Sequence, residues 1–294
     1  MTSREAPIVL AAFEGWNDAG SAASEAISMI AQEWGATPLA ALDPEDYYDF
    51  QVARPVLSRS GGGASLTWPA TRVSATTSPR GRRLLLIQGI EPSMRWRTYC
   101  SELLSIVRGA QPSALVGVGA LLADVPHSRP IPVQTTTEDA ALAASLGLES
   151  SEYAGPVGII SVLTHSASQE GMRAMSVWAA VPHYVSQPPS PKATLAVLGA
   201  LEDVVGEPLP TGELEDLARA WERGVDELAE EDPEVAEYVH QLEEAKDTAE
   251  LPEASGEAIA QEFERYLRRR DPGGPGGPGG PGRGGPPGPG GGGK

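Results

Sequence analysis

The chain has 294 residues, of which 40% are hydrophobic and 21% charged. At roughly 150 residues per domain that means one large domain or two smaller ones, and disorder throughout is excluded. The 40 acidic and 22 basic residues leave a net charge of −18, which excludes broad electrostatic binding to nucleic acid and adsorption to anionic lipid. Cys100 is the single cysteine, so an internal disulfide framework and a cysteine-based zinc cluster are excluded as well.

The first apolar run, Pro7 to Phe13, ends at Glu14 and is too short for a signal peptide. No stretch reaches the roughly 20 apolar residues of a membrane span. A chain of this size without disulfides fits a reducing compartment, so the expected location is the cytoplasm.

In chain order, the apolar run Ile8 to Phe13 predicts a buried strand. Ala22, Ala23, Ala26, Ile27, Ile30 and Trp34 recur at helical spacing and predict a helix. Segments 50–58 and 65–76 are polar and β-branched and predict a hairpin or edge pair joined around Gly61 to Gly63. Leu84 to Ile87 predicts a second buried strand, and Trp96 to Val107 a helix that carries Cys100, buried and inert. Ala114 to Gly119 predicts a third strand, with Gly117 and Gly119 allowing another backbone to approach. Thr135 and Glu138 form a capping-box pattern for a helix start, and Ser166 with Gln169 another before Met172. Val157 to Ile160 predicts a fourth strand and Ser176 to Val181 a fifth. Ser190-Pro191 and Asp232-Pro233 each place a cap and a first-turn proline before an apolar helical pattern.

Continuous apolar strands alternating with helices predict an α/β fold. The architecture is three-layer α/β/α, with a mostly parallel mixed sheet over residues 1–209. Lysine is absent before Lys192, and beyond Pro191 the chain becomes markedly more acidic. Residues 210–271 predict an acidic helical arm with narrow apolar stripes: Leu214, Leu217, Trp221 and Leu228 first, then Ile259, Phe263, Tyr266 and Leu267. Residues 272–294 are almost only Gly and Pro and predict a disordered tail.

Ligands in open α/β sheets bind at the carboxyl ends of strands. The first such end reads Glu14-Gly15-Trp16-Asn17-Asp18-Ala19-Gly20. Its spacing is neither a dinucleotide nor a P-loop fingerprint, and Asp18 is equally a cap and Asn17 a turn residue. The third strand is followed by Asp124, His127 and Arg129 within six residues. These are either an acid–base pair with an anion-gripping arginine or a stiff loop whose charges satisfy one another. Glu91 and His183 lie at further strand ends, and His165 and Glu170 flank a predicted helix start. The candidate cleft or interface residues are therefore Glu14, Asn17, Asp18, Glu91, Asp124, His127, Arg129 and His183. No histidine pair has metal spacing and no serine sits in a nucleophile elbow, so no metal, no cofactor and no catalytic residue is expected. An ATP-dependent carboxylate–amine ligase is weakened by a strand region with no lysine, where Gly61-Gly62-Gly63 is a poor phosphate loop.

Four segments occur in order: Gly15 to Gly20, Gly119 to His127, Tyr153 to Ile159, and Val177 to Val185. Together they resemble the proteasome assembly chaperone 2 family in its bacterial branch, over about residues 7–205. The resemblance implies a phosphorylase/hydrolase-like α/β/α fold and a self-associating domain. It also implies a non-enzymatic role in core-proteasome assembly, as in eukaryotic and archaeal relatives. Some relatives dock through a C-terminal hydrophobic–Tyr–any-residue tail; this sequence departs from that pattern and ends Gly292-Gly293-Lys294. The resemblance supplies no catalytic residues. The expected function is thus a chaperone-like scaffold, a homo-oligomer that binds a protein partner such as proteasome subunits. The alternatives are an enzyme or metabolite-binding protein using a nucleoside-phosphorylase-like cleft, or an ATP-dependent carboxylate–amine ligase.

Overall fold

A computed structural model describes residues 6–60, 63–150 and 153–248. The elements are β1 (Ile8–Glu14), α1 (Ala22–Glu33), β2 (Thr37–Ala41), α2 (Pro44–Tyr47), β3 (Val56–Ser60), β4 (Gly63–Thr67), β5 (Arg72–Thr77) and β6 (Arg83–Ile90). There follow α3 (Trp96–Arg108), β7 (Ala114–Ala123), β8 (Val133–Thr137), α4 (Ala140–Leu146), β9 (Glu149–Ser150), α5 (Ile159–Gln169) and β10 (Ala174–Pro182). The chain then turns into α6 (Pro191–Val205), α7 (Leu214–Glu231) and α8 (Pro233–Thr248).

An eight-stranded sheet has the order β2-β5-β6-β1-β7-β10-β8-β9. Its centre, β6-β1-β7-β10, is parallel. Towards one edge β6 pairs β5 and β5 pairs β2, both antiparallel; towards the other, β10 pairs β8 antiparallel and β8 pairs β9 parallel. The sheet is therefore mixed.

The central strands are apolar throughout because both faces are covered. Ile8, Leu10 and Ala12 of β1 join a core with α1 and α6, whereas Val9, Ala11 and Phe13 join a second core with α3 and α5. Burying each such Leu, Ile or Phe is worth about 1.5–3 kcal/mol. On β7, a Cβ at Gly117 would lie 2.6 Å from an Ile160 methyl of α5, and one at Gly119 would meet the Trp178 ring at 2.4 Å. The approach these glycines permit is thus by side chains, not by a second backbone.

Several expectations are corrected. Val157 to Ile160 is not a strand: Ile159 and Ile160 open α5, and their burial on a helix face produces the apolar run. Thr135 caps no helix; it lies in β8, and Asp139 caps α4 by accepting from Ala141 N and Leu142 N. Ser166 lies inside α5 and donates to Val162 O. His165 is likewise inside α5 and Glu170 is its C-cap, so neither flanks a helix start. The hairpin is β3–β4 alone, a separate two-stranded sheet, while β5 belongs to the main sheet. On α7 the buried face is Leu214, Ala218, Val225 and Ala229, and Leu217 and Leu228 point outward. The Asp232 cap does form, with Oδ1 accepting from Glu234 N and Val235 N. The stripe at Ile259, Phe263, Tyr266 and Leu267 and the Gly/Pro tail lie outside the described residues.

Candidate functional site

The parallel strands deliver their carboxyl ends to one edge, and the candidate residues gather there in two groups. The first surrounds the end of β1. Asn17 O accepts from Ala120 N at 2.8 Å, and Asp18 bridges Ala120, so this turn extends the pairing of β1 with β7. Asp18 Oδ1 accepts from Ala23 N at 2.8 Å and from Ser24 N at 3.3 Å, capping α1 from outside the helix. Burial raises the Asp18 carboxyl above its usual range despite these amides. Burial also raises the exposed-edge Glu14, with smaller contributions from Asp18 and Glu25.

Glu91, beyond β6, reaches across to α5. Its Oε1 accepts from Ile159 N at 2.9 Å and from Asn17 Nδ2 at 2.8 Å. A carboxylate at a helix N-terminus is favoured by the free amides and the helix dipole. Among the described residues, the buried Asn17 finds no hydrogen-bond partner for Oδ1. That oxygen lies 2.1 Å from where a Cβ of Gly158 would stand, so only glycine lets α5 approach this closely.

The second group lies past β7 and β10. His127 is 1% exposed. Tyr184 OH lies 2.7 Å from His127 Nδ1 and accepts from His127 N at 2.7 Å, while Nε2 lies 2.9 Å from Asp226 Oδ1 on α7. A carboxylate only accepts, so Nε2 is the nitrogen that donates to Asp226, and Nδ1 of a neutral ring is left to accept the Tyr184 hydroxyl proton. This pattern assigns the proton of the neutral ring to Nε2, facing Asp226. Burial pushes the Tyr184 phenol up to about 12, so it stays protonated. Trp221 of α7 stacks edge-on to the His127 ring at 6.4 Å.

The neighbouring loop residues are fastened in the same direction. Arg129 grips Asp247 of α8 with two nitrogens, Nε to Oδ1 at 3.0 Å and a terminal nitrogen to Oδ2 at 2.6 Å, and also reaches Glu243. That hydrogen bond holds the Asp247 carboxyl below its usual range. Ser128 Oγ donates to Glu243, Lys246 Nζ to Pro130 O, and Lys192 Nζ to both His127 O and Glu222. Tyr238 OH donates to Asp124 Oδ1 at 3.1 Å. His183 Nδ1 lies 3.3 Å from the same carboxylate, within ion-pair reach but without hydrogen-bond geometry.

The structure thus brings Asp124, His127, Arg129 and His183 together against α7–α8, and Asn17 and Glu91 together at α5. Asp18 spends its carboxylate on α1, and His165 pairs Glu138 on the surface. Tyr184, Lys192, Asp226, Glu243, Asp247 and Gly158 were not singled out from the sequence. One signal for the acids was available: Glu222/Asp226 and Glu243/Asp247 are i, i+4 pairs, each placing two carboxylates on one helix face. Among the described residues no cluster of three or more His, Cys, Asp or Glu is arranged to hold a metal ion. No described helix is long and apolar enough to cross a membrane.

This architecture has close counterparts among solved structures. A PAC2 family protein from Streptomyces avermitilis is 52% identical, with a TM-score of 0.75, covering 79% of this chain and 99% of its own. A proteasome-assembly chaperone homologue from Mycobacterium tuberculosis is 47% identical, with a TM-score of 0.73 and the same coverage of 79% and 99%. An archaeal proteasome activator from Pyrococcus furiosus shares the fold at 17% identity, with a TM-score of 0.61, covering 78% of this chain and 95% of its own. Among curated proteins, none matches the chain. The PAC2 family model matches residues 12–229, from the middle of β1 to the end of the buried stripe of α7. The strand-end residues of both groups, and α7 as far as Ala229, fall inside that match while α8 lies beyond it, and the chain belongs to the PAC2 family.

Proposed function

We propose that this chain is a non-enzymatic, proteasome-assembly-chaperone-like scaffold that associates with itself and binds a protein partner, namely proteasome subunits, in the cytoplasm. In this reading residues 1–209 form the α/β/α domain and 210–271 an acidic arm. One observation carries it: the loop richest in chemistry is spent on fastening the arm. His127 is closed in by Tyr184, Asp226 and Trp221, and Arg129 is held by Asp247 and Glu243. A general base or an anion grip needs a free face toward substrate; the His127 ring is buried, and the Arg129 nitrogens are already bonded to carboxylates. The kinship with a proteasome-assembly chaperone homologue gives the same direction. The test is capture with tagged full-length chain from cells that contain a proteasome. Co-elution of α-subunits in stoichiometric amount supports the reading; their absence counts against it.

A second reading, a metabolite site, is favoured by a specific feature at the end of β1. The buried Asn17 Oδ1 lacks a partner among the described residues, beside two carboxyls that burial raises, Glu14 and Asp18. A thermal-shift screen with nucleotides, nucleosides and phosphorylated metabolites tests it, because a ligand of the native state must raise the unfolding midpoint. No shift across the panel dismisses this reading.

A further inference from the structure

The β3–β4 hairpin stands apart from the main sheet, and an isolated two-stranded hairpin is marginal in water. Leu57 pairs with Leu66 and Arg59 with Ala64, so these four side chains share one face. Leu57 is 56% exposed and Leu66 49%. Trp68 continues the same alternation and meets Phe50 edge-on at 4.9 Å, anchoring the hairpin to the second core. The segment is also electrically unusual: no acidic residue occurs between Asp49 and Glu91, whereas Arg54, Arg59 and Arg72 lie in or beside the hairpin. An apolar face that carries Arg59, in a stretch free of acids on a chain of net charge −18, is complementary to an apolar surface flanked by carboxylates.

Such a counterpart exists on α7. Leu217, Gly224 and Leu228 recur at i, i+7 and i+11 and lie on one line of the helix, away from its buried face. Leu217 is 51% exposed and Leu228 59%, and a Cβ added at Gly224 would meet nothing within 4 Å among the described residues, so a shallow notch separates the two leucines. Glu213, Glu227 and Glu231 flank this line on its solvent side and are exposed. Within one copy the two surfaces belong to opposite faces of the sheet. The hairpin is anchored through Phe50 and Ala53 to the α3/α5 core, and α7 through Leu214 to the α1/α6 core.

We propose that the Leu57–Leu66 face of the hairpin docks on the Leu217–Gly224–Leu228 line of α7 in a second copy of the chain. The contact is head-to-tail, so repetition closes a ring when the rotation between copies allows. Arg59 then faces the glutamates that flank the line. The proposal rests on the self-association reading and names its surface.

The test is analytical ultracentrifugation of the full-length chain, of Leu57→Asp and of Leu228→Asp, with circular dichroism and the unfolding midpoint as checks of folding. The wild type is expected to sediment as a closed oligomer, and each variant as a folded monomer with at least tenfold weaker association. An equimolar mixture of the two variants is expected to give a 1:1 complex and nothing larger, because one contributes an intact hairpin and the other an intact α7. Arg59→Glu is expected to weaken association without touching the apolar pair, and serves if a leucine variant fails to fold. A wild-type oligomer that persists in the folded variants overturns the docking surface and leaves self-association standing. Full assembly of Leu228→Asp alone points to a symmetric hairpin–hairpin contact and overturns it as well. A wild type that is monomeric at every concentration overturns self-association itself.

Discussion

Replacing His127 with alanine isolates the link between the strand-end loop and the arm. The ring is buried and makes two side-chain hydrogen bonds, to Tyr184 OH and to Asp226. Losing them costs about 1 kcal/mol each, and leaving the half-buried Tyr184 hydroxyl without an acceptor adds about 1 kcal/mol. Asp226 is more than half exposed and rehydrates at little cost. The expected total is about 3 kcal/mol, concentrated on α7–α8, because Asp226 sits on the arm and Tyr184 on the sheet edge. Native-state hydrogen exchange reads this locally: about 3 kcal/mol corresponds to roughly 150-fold faster exchange of α7 and α8 amides, with the central strands changed far less. Asp226→Ala combined with His127→Ala is expected to cost about 1 kcal/mol less than the sum of the single variants. A loss below about 1 kcal/mol, or acceleration spread evenly over the sheet, would refute the fastening role of His127.

Gly158→Ala drives a Cβ into Asn17 and breaks the Asn17–Glu91–Ile159 chain, for a loss of about 2 kcal/mol or more in urea unfolding; a loss under about 0.5 kcal/mol contradicts the close approach. Gly199→Ala, in the exposed interior of α6 with nothing within 4 Å, is expected to stabilise by about 0.5–1 kcal/mol, seen as a higher midpoint. The folded-state carboxyl of Asp18 is raised, so it takes up a proton before the unfolded chain does, and its contribution to stability grows as pH falls from its raised value toward the ordinary one. Asp18→Asn keeps the acceptor for Ala23 N and is expected to flatten that part of the stability–pH curve. Asp247 runs the other way: its depressed carboxyl supports the arm above the ordinary aspartate range, and that support is lost as pH falls through the depressed value. Arm-specific hydrogen exchange against pH separates the two. The Cys100 thiol, buried on α3 and pushed up to about 12, is expected to resist alkylation in the native state and to react at once in denaturant, read by mass spectrometry.

The parts of the fold most legible in the sequence are those whose burial is written locally. Ile8 to Phe13 and Leu84 to Ile87 are buried on both faces, so their apolar runs mark central strands directly. Tyr99, Leu103, Leu104 and Val107 on α3 show the helical period plainly. Short apolar runs are ambiguous, and Val157 to Ile160 misleads because its isoleucines are buried on a helix rather than in a pleat. Thr135 to Thr137 satisfies a capping pattern and a strand preference equally, and pairing with β10 decides for the strand. In the site, Asp124, His127 and Arg129 announce themselves by crowding charge at a strand end. Their partners lie far along the chain, at Tyr184, Asp226, Glu243 and Asp247, and single acids on an acidic helix carry no mark of having a cation to meet. Asn17 and Glu91 are legible only as strand-end residues, because the Val157 to Ile160 run has the pattern of a strand and a strand offers no amide terminus to cap.

The claim that this protein promotes assembly rather than turnover is tested most directly by reconstitution. Purified proteasome α- and β-subunits are mixed with and without the full-length chain, and core-particle formation is followed by native mass spectrometry. A chain that promotes assembly gives an intermediate in which it is bound to α-subunits and a faster rise of assembled core particle. Identical assembly kinetics, with this chain never found on any α-subunit species, would contradict it.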